Sequence, residues 1–255
     1  MKRSRMISTN LLPRLALVFT LLLTGSVALS AQASGDSAKP NPALVPATRN
    51  TWISTHNRLA SAARQEGCDI MFLGDSITFG WKDNGKSIWE ERYAPLKSVN
   101  FGLGGDRTEN ILWRLQNGAL GGGINPKVVV LMIGTNNTGR DSAEQIAEGI
   151  AAIVQEIGKR APKAKVLLLD IFPRSEKPDD VRRVKIDAIN AIIAKLDDAQ
   201  QVFFLPIGQK FLQPDGTLNN KAFKPDNLHL SPVGYKIWAD AMDAKLSELL
   251  SPNPA

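Results

Sequence analysis

Four short apolar runs punctuate the chain: Ile70 to Leu73, Val128 to Ile133, Val166 to Leu169 and Val202 to Leu205. Runs of this length without polar alternation predict strands covered on both faces. Ser98 to Phe101 is a weaker fifth strand. Between the strands the period changes. Ile146, Ile150, Ile153, Val154 and Ile157 recur at three- and four-residue spacing, which predicts one helical stripe packed on a core rather than a cofactor or metal face. A second helix is predicted near Val181 to Leu196. A third begins with Ser231 as N-cap and Pro232 at the first helical position. Strands alternating with helices predict an α/β chain, a three-layer α/β/α sandwich on a five-stranded parallel sheet. Such sheets bind ligands beyond the carboxyl ends of their strands.

The N-terminus carries Lys2, Arg3, Arg5 and Arg14, an apolar run from Leu15 to Leu23, and the small-residue pattern Ala31-Gln32-Ala33. This predicts an export signal over residues 1–33, cleaved near Ala33, and a periplasmic or secreted protein. Its apolar stretch falls short of the roughly 20 residues of a membrane span. Cleavage leaves no stable membrane span, and no cysteine lies nearby for a lipid anchor. Removing these residues leaves 27 basic against 25 acidic side chains, so the formal charge falls from +6 to +2. No basic stripe for nucleic acid remains. Residues 34–51, with Pro40, Pro42 and Pro46, read as a flexible, exposed linker. Residues 52–251 suit one domain with one core.

The chemistry lies at the ends of the predicted strands. Phe72-Leu73-Gly74-Asp75-Ser76 sets a serine where a strand gives way to a helix. A serine hydroxyl needs a base and a group to orient that base. Of the two histidines, His229 fits. Asp226 lies three residues before it, near enough to share a turn and hold the tautomer that accepts the Ser76 proton. His56 reads as a surface or packing residue. Two segments can supply oxyanion donors: the glycine-rich Asn100-Phe101-Gly102-Leu103-Gly104-Gly105-Asp106, and Gly134-Thr135-Asn136-Asn137 directly after a strand. A hole of Ser76 N–H, Gly105 N–H and the Asn136 amide would serve acyl transfer.

In this order the four blocks resemble the SGNH (GDSL-type) hydrolases, over roughly residues 68–245. Leu112-Trp113-Arg114-Leu115-Gln116-Asn117-Gly118, with the glycine and Gly-Thr-Asn-Asn segments, resembles most closely the catalytic subunits of platelet-activating factor acetylhydrolase. The resemblance implies a flavodoxin-like strand order, Ser76 as nucleophile, Gly105 and Asn136 as oxyanion donors, and His229 as base with Asp226 as its partner. It implies also that Ile77, Thr135 and Leu228 crowd the acyl site, which suits an acetyl-sized group. A homodimer is what the acetylhydrolase branch implies. Asn137 departs from the aspartate that often ends the third block, although that branch shares the asparagine.

Other chemistries fail on inspection. Gly102-x-Gly104 reaches Arg107 where a dinucleotide fingerprint needs Gly or Ala, and no phosphate-binding loop or Gly-x-Ser-x-Gly elbow is present. Two distant histidines and the single Cys68, which reads as a buried inert thiol, assemble no zinc-type cluster. The expected mechanism uses no metal and no cofactor. The expected function is an exported serine esterase that removes short acyl groups, acetyl above all, from small-molecule or polysaccharide esters. Export favours O-acetylated carbohydrate. The alternatives are a lipid esterase of the acetylhydrolase or lysophospholipase type and, against the intact constellation, a non-catalytic binding module. Trp81, Trp89 and Trp113 could stack on sugar, though buried packing is the simpler reading of each.

Overall fold

Strands apolar on both faces require a helical layer on each side. The computed structural model, which describes residues 39–251, has five strands. They are β1 (Ile70–Gly74), β2 (Ser98–Gly102), β3 (Val128–Met132), β4 (Lys165–Leu169) and β5 (Val202–Leu205). They pair in parallel in the order β2-β1-β3-β4-β5, the flavodoxin-like arrangement. The helices are α1 (Ile53–Glu66), α2 (Ser76–Phe79), the single turn α3 (Lys86–Ile88), α4 (Thr108–Arg114), α5 (Ala143–Arg160), α6 (Val181–Ile193) and α7 (Pro232–Leu250).

Side chains alternate along each strand and so divide the core in two. Met71, Leu73, Val129, Leu131 and Leu168 meet Ala60 of α1 and the isoleucines of α5 and α6. On the other face Ile70, Phe72, Val130 and Leu167 meet Trp81, Tyr93 and the Trp238, Met242 and Leu246 stripe of α7. Trp81 is wholly buried, with the rings of Tyr93, Tyr235 and Trp238 at 5.3, 4.7 and 5.0 Å. It cannot stack on a sugar. Trp89 packs on Phe72 at 5.0 Å and Trp113 lies edge-on to His56 at 5.6 Å, so both serve packing. His56 is buried, with Nε2 at 2.9 Å from the Asn117 carbonyl. Burial pushes the Cys68 thiol up to about 12, as an inert thiol requires.

The expected signal segment, residues 1–33, lies outside the described residues, as do residues 34–38 of the expected linker. The remainder of that linker needs correction, because residues 39–51 belong to the same compact unit as the sheet and its helices. Ala43 is fully buried, and its carbonyl accepts the Thr108 hydroxyl at 3.0 Å. The Ala47 N–H donates to the Glu109 carbonyl at 3.1 Å, and the Asn110 amide donates to the Ala47 carbonyl at 2.8 Å. The prolines allow only short 3₁₀ turns here, Pro42–Leu44 and Asn50–Trp52, without preventing docking, because backbone groups outside those turns still find partners on α4. Among the described residues no helix is long and apolar enough to cross a membrane.

Candidate active site

At the end of β1 the chain turns through Asp75, and Ser76 is the first residue of α2. Its N–H therefore has no intrahelical acceptor. Asp75 caps the turn, with Oδ1 accepting the Ile77 N–H at 2.9 Å. From the far end of the chain, the loop before α7 brings in the base. Ser76 Oγ lies 2.8 Å from His229 Nε2, and His229 Nδ1 lies 2.7 Å from Asp226 Oδ2. Asp226 Oδ1 also accepts the N–H groups of Leu228 and His229, at 3.0 and 2.9 Å. Asn227 between them takes φ +52°, a left-handed conformation that asparagine tolerates.

Two further contacts hold this region, one inside the loop and one between α7 and the nucleophile turn. The Lys224 N–H donates to the His229 carbonyl at 2.7 Å. The Tyr235 hydroxyl of α7 donates to the Ile77 carbonyl at 2.6 Å. Partial burial alone would raise the Asp226 carboxyl, but the bonds from the His229 ring and from the two N–H groups outweigh it and hold the carboxyl below its ordinary value. A carboxylate accepting from Nδ1–H leaves the Nε2 lone pair facing the Ser76 hydroxyl. That arrangement can take a proton from Ser76.

The two oxyanion segments meet beside it. Asn136 lies in the 3₁₀ turn Thr135–Asn137 after β3, and one N–H of its side chain donates to the Asp106 carbonyl at 2.9 Å. An amide nitrogen has a second donor. Arg107 Nε holds the Asn136 carbonyl at 3.1 Å, and Arg174 Nη1 lies 3.3 Å from the Thr135 hydroxyl. Behind the glycine loop, Asp106 and Arg114 form a buried ion pair at 2.9 Å. Asn137 explains its own departure from aspartate. Its amide donates to Glu109 Oε2 and Asp141 Oδ2, at 3.1 and 2.8 Å, and a carboxylate there would meet two others.

Of the expected acyl-site residues, Ile77 and Thr135 are buried and Leu228 is half-buried. Ile77 shares the core cluster of Phe72 and Trp81 on the α7 side of the sheet. Among the described residues no group of three or more His, Cys, Asp or Glu side chains could hold a metal ion. The sequence reading missed Arg49, Trp52, Arg107 and Arg174, which hold the donor loops from outside the four blocks. No local pattern marks them.

It also missed Asp75 as a titrating group. Burial pushes its carboxyl up to about 7, the capping bond from Ile77 N–H opposes this, and among the described residues Oδ2 has no hydrogen-bond partner. A carboxyl that binds its proton more tightly when folded contributes stability that is complete below pH 3.8, its ordinary value, and is lost as pH rises through about 7. The full shift corresponds to about 4 kcal/mol. Asp75→Asn keeps the capping acceptor and removes the ionisation. The variant should therefore gain in thermal stability relative to the unaltered protein as pH rises from 4 to 7. A stability difference that does not change with pH would show that Asp75 ionises as an ordinary carboxylate.

Residues 72–237 match the GDSL-like lipase/acylhydrolase family. The chain is 37% identical over 216 residues to the platelet-activating factor acetylhydrolase IB subunit alpha1 of Pongo abelii, covering 84% of this chain and 91% of that one. Among solved structures it is similar to a GDSL-like lipase from Bacteroides thetaiotaomicron, with TM-score 0.63 and 22% identity over 78% of this chain and 96% of the other. It is similar also to an acetylxylan esterase, Axe2, from Geobacillus stearothermophilus, with TM-score 0.56 and 20% identity over 72% and 94%. Identities this low bear on the fold alone.

Proposed function

Given that the chain belongs to the GDSL-like lipase/acylhydrolase family and is a carboxylic ester hydrolase, we propose that it is an exported serine esterase that removes acetyl and other short acyl groups, with O-acetylated carbohydrate as substrate. The observation that carries the mechanism is the continuous chain from Ser76 Oγ through His229 to Asp226, at 2.8 and 2.7 Å. As Ser76 Oγ attacks the ester carbonyl, its proton passes to His229 Nε2. The tetrahedral oxyanion is held by the N–H groups of Ser76 and Gly105 and by the free N–H of the Asn136 amide. Collapse breaks the bond to the alkoxy oxygen, which leaves as the alcohol with the proton from His229. Water then gives its proton to the same nitrogen and attacks the acyl-enzyme, releasing the acid and restoring Ser76.

The acyl preference rests on Ile77, Thr135 and Leu228, whose branched side chains would leave little room beside Ser76. The carbohydrate preference rests on the export signal expected over residues 1–33, since polysaccharides are met outside the cytoplasm. A second reading, a lipid esterase, is favoured by the identity to the acetylhydrolase subunit. The test uses purified protein with p-nitrophenyl esters from acetate to octanoate, and with acetylated xylan. Since a methylene that a pocket cannot seat costs about 10-fold or more, turnover should fall at least that much between acetate and octanoate, with acetate released from xylan. Flat turnover across the series would remove the small-pocket reading. Steep dependence with no release from xylan, and release from an acetylated phospholipid instead, would move the substrate to lipid.

A further inference from the structure

Resting on the reading of the Gly105 N–H as an oxyanion donor, we infer that Arg49 and Trp52, on the docked N-terminal segment, are positioning residues that aim and polarise that donor. Arg49 Nη1 donates to the Gly104 carbonyl at 2.6 Å, and Trp52 Nε1 donates to the same oxygen at 2.9 Å. This carbonyl and the Gly105 N–H belong to one peptide unit. In a planar trans peptide the two point in opposite directions, so fixing the oxygen from the N-terminal side turns the N–H away from it. Among the described residues the Gly105 N–H has no hydrogen-bond partner, as a donor kept for a substrate requires.

Charge adds to direction. A guanidinium on the carbonyl draws electron density through the amide and strengthens its N–H as a donor, the cooperativity of linked hydrogen bonds. The guanidinium also lies 3.9 Å from the Asp106 carboxylate, and the Asp106 carbonyl holds the Asn136 amide, so the cation sits on the glycine segment to which the second oxyanion segment is bonded. The room it occupies exists because residue 105 is glycine. A Cβ there would meet Arg49 Nη1 at 2.5 Å, and φ of +76° disfavours any side chain besides. The clamp is carried by the contacts of Ala43 and Ala47 with α4.

Losing a whole oxyanion donor costs about 10²- to 10³-fold, so loosening one of three should cost less. The test measures kcat, KM and thermal unfolding for Trp52→Phe, Arg49→Met and Arg49→Lys in the otherwise unaltered chain, on p-nitrophenyl acetate, beside Ser76→Ala. Trp52→Phe keeps an aromatic ring facing Phe79 and removes the indole N–H donor together with part of the ring's bulk, which the unfolding temperature monitors. The expected result is kcat lower by about 3-fold for Trp52→Phe and about 10-fold for Arg49→Met, with KM and unfolding temperature unchanged. Arg49→Lys, which keeps the charge, should recover most of the loss. A kcat that is unchanged in both variants, while the unaltered chain keeps its Ser76-dependent turnover, overturns this inference alone. A kcat that falls only together with unfolding temperature, without recovery by lysine, overturns it as well. Absence of Ser76-dependent turnover in the unaltered chain would overturn the hydrolase mechanism on which it rests.

Discussion

Ser76→Ala should lower kcat on p-nitrophenyl acetate by about 10⁶-fold, the scale of nucleophile loss in serine hydrolases of other folds. The variant should fold normally. The Ser76 hydroxyl has His229 Nε2 as its side-chain partner, whereas the turn that carries it is held by the Asp75 cap and by the Tyr235 hydroxyl on Ile77. A remaining activity well above the uncatalysed rate is consistent with the reading, since oxyanion donors and binding still act. Steady-state and single-turnover kinetics check this, with mass spectrometry of the unaltered protein during turnover to detect an acyl adduct on Ser76. A loss under about 10²-fold would mean that water, activated directly by His229, is the nucleophile, because that route needs no serine.

Asp226→Asn should cost up to about 10⁴-fold in kcat while leaving the fold intact. The two oxygens of Asp226 do different work. Oδ1 accepts the Leu228 and His229 N–H groups, a task that the amide oxygen of asparagine can inherit. Oδ2 accepts from His229 Nδ1, and there an NH₂ group would present a donor instead. The ring would then favour the tautomer with its proton on Nε2, which has no lone pair for the Ser76 hydroxyl. A loss below about tenfold, with unchanged unfolding temperature, would leave Ser76 and His229 working as a dyad.

What the sequence made legible depends on how local each interaction is. β1, β3, β4 and β5 announce themselves as unbroken apolar runs, and α5 and α7 carry their stripe or their cap within a few residues. Ser76, Asp226 and His229 could be named because each sits in a short block whose neighbours bear on the same chemistry. Arg49 could not. Its partners at Gly104 and Asp106 are more than 50 positions away, and its own neighbourhood, rich in proline and alanine, gives the composition of a tether. Asp75 was hidden for a related reason. A carboxylate in a turn looks solvated until the folded chain buries it completely and, among the described residues, leaves one oxygen without a partner. The tryptophans show the limit of composition, since an aromatic near a site and one beneath it have the same letter, and Trp81 lies beneath.

The separation of 153 positions between Ser76 and His229 has a kinetic side. In a sheet whose every strand pairs in parallel, no two neighbours can be joined by a tight hairpin, so long segments must be closed before any pairing is gained. The serine turn belongs to the first strand laid down in the sequence, and the imidazole to the loop before the last helix. Catalytic competence thus cannot precede arrival of the loop before α7 at the serine turn, and for a polypeptide emerging in order from the ribosome the enzyme stays silent until the segment through α7 is available to fold.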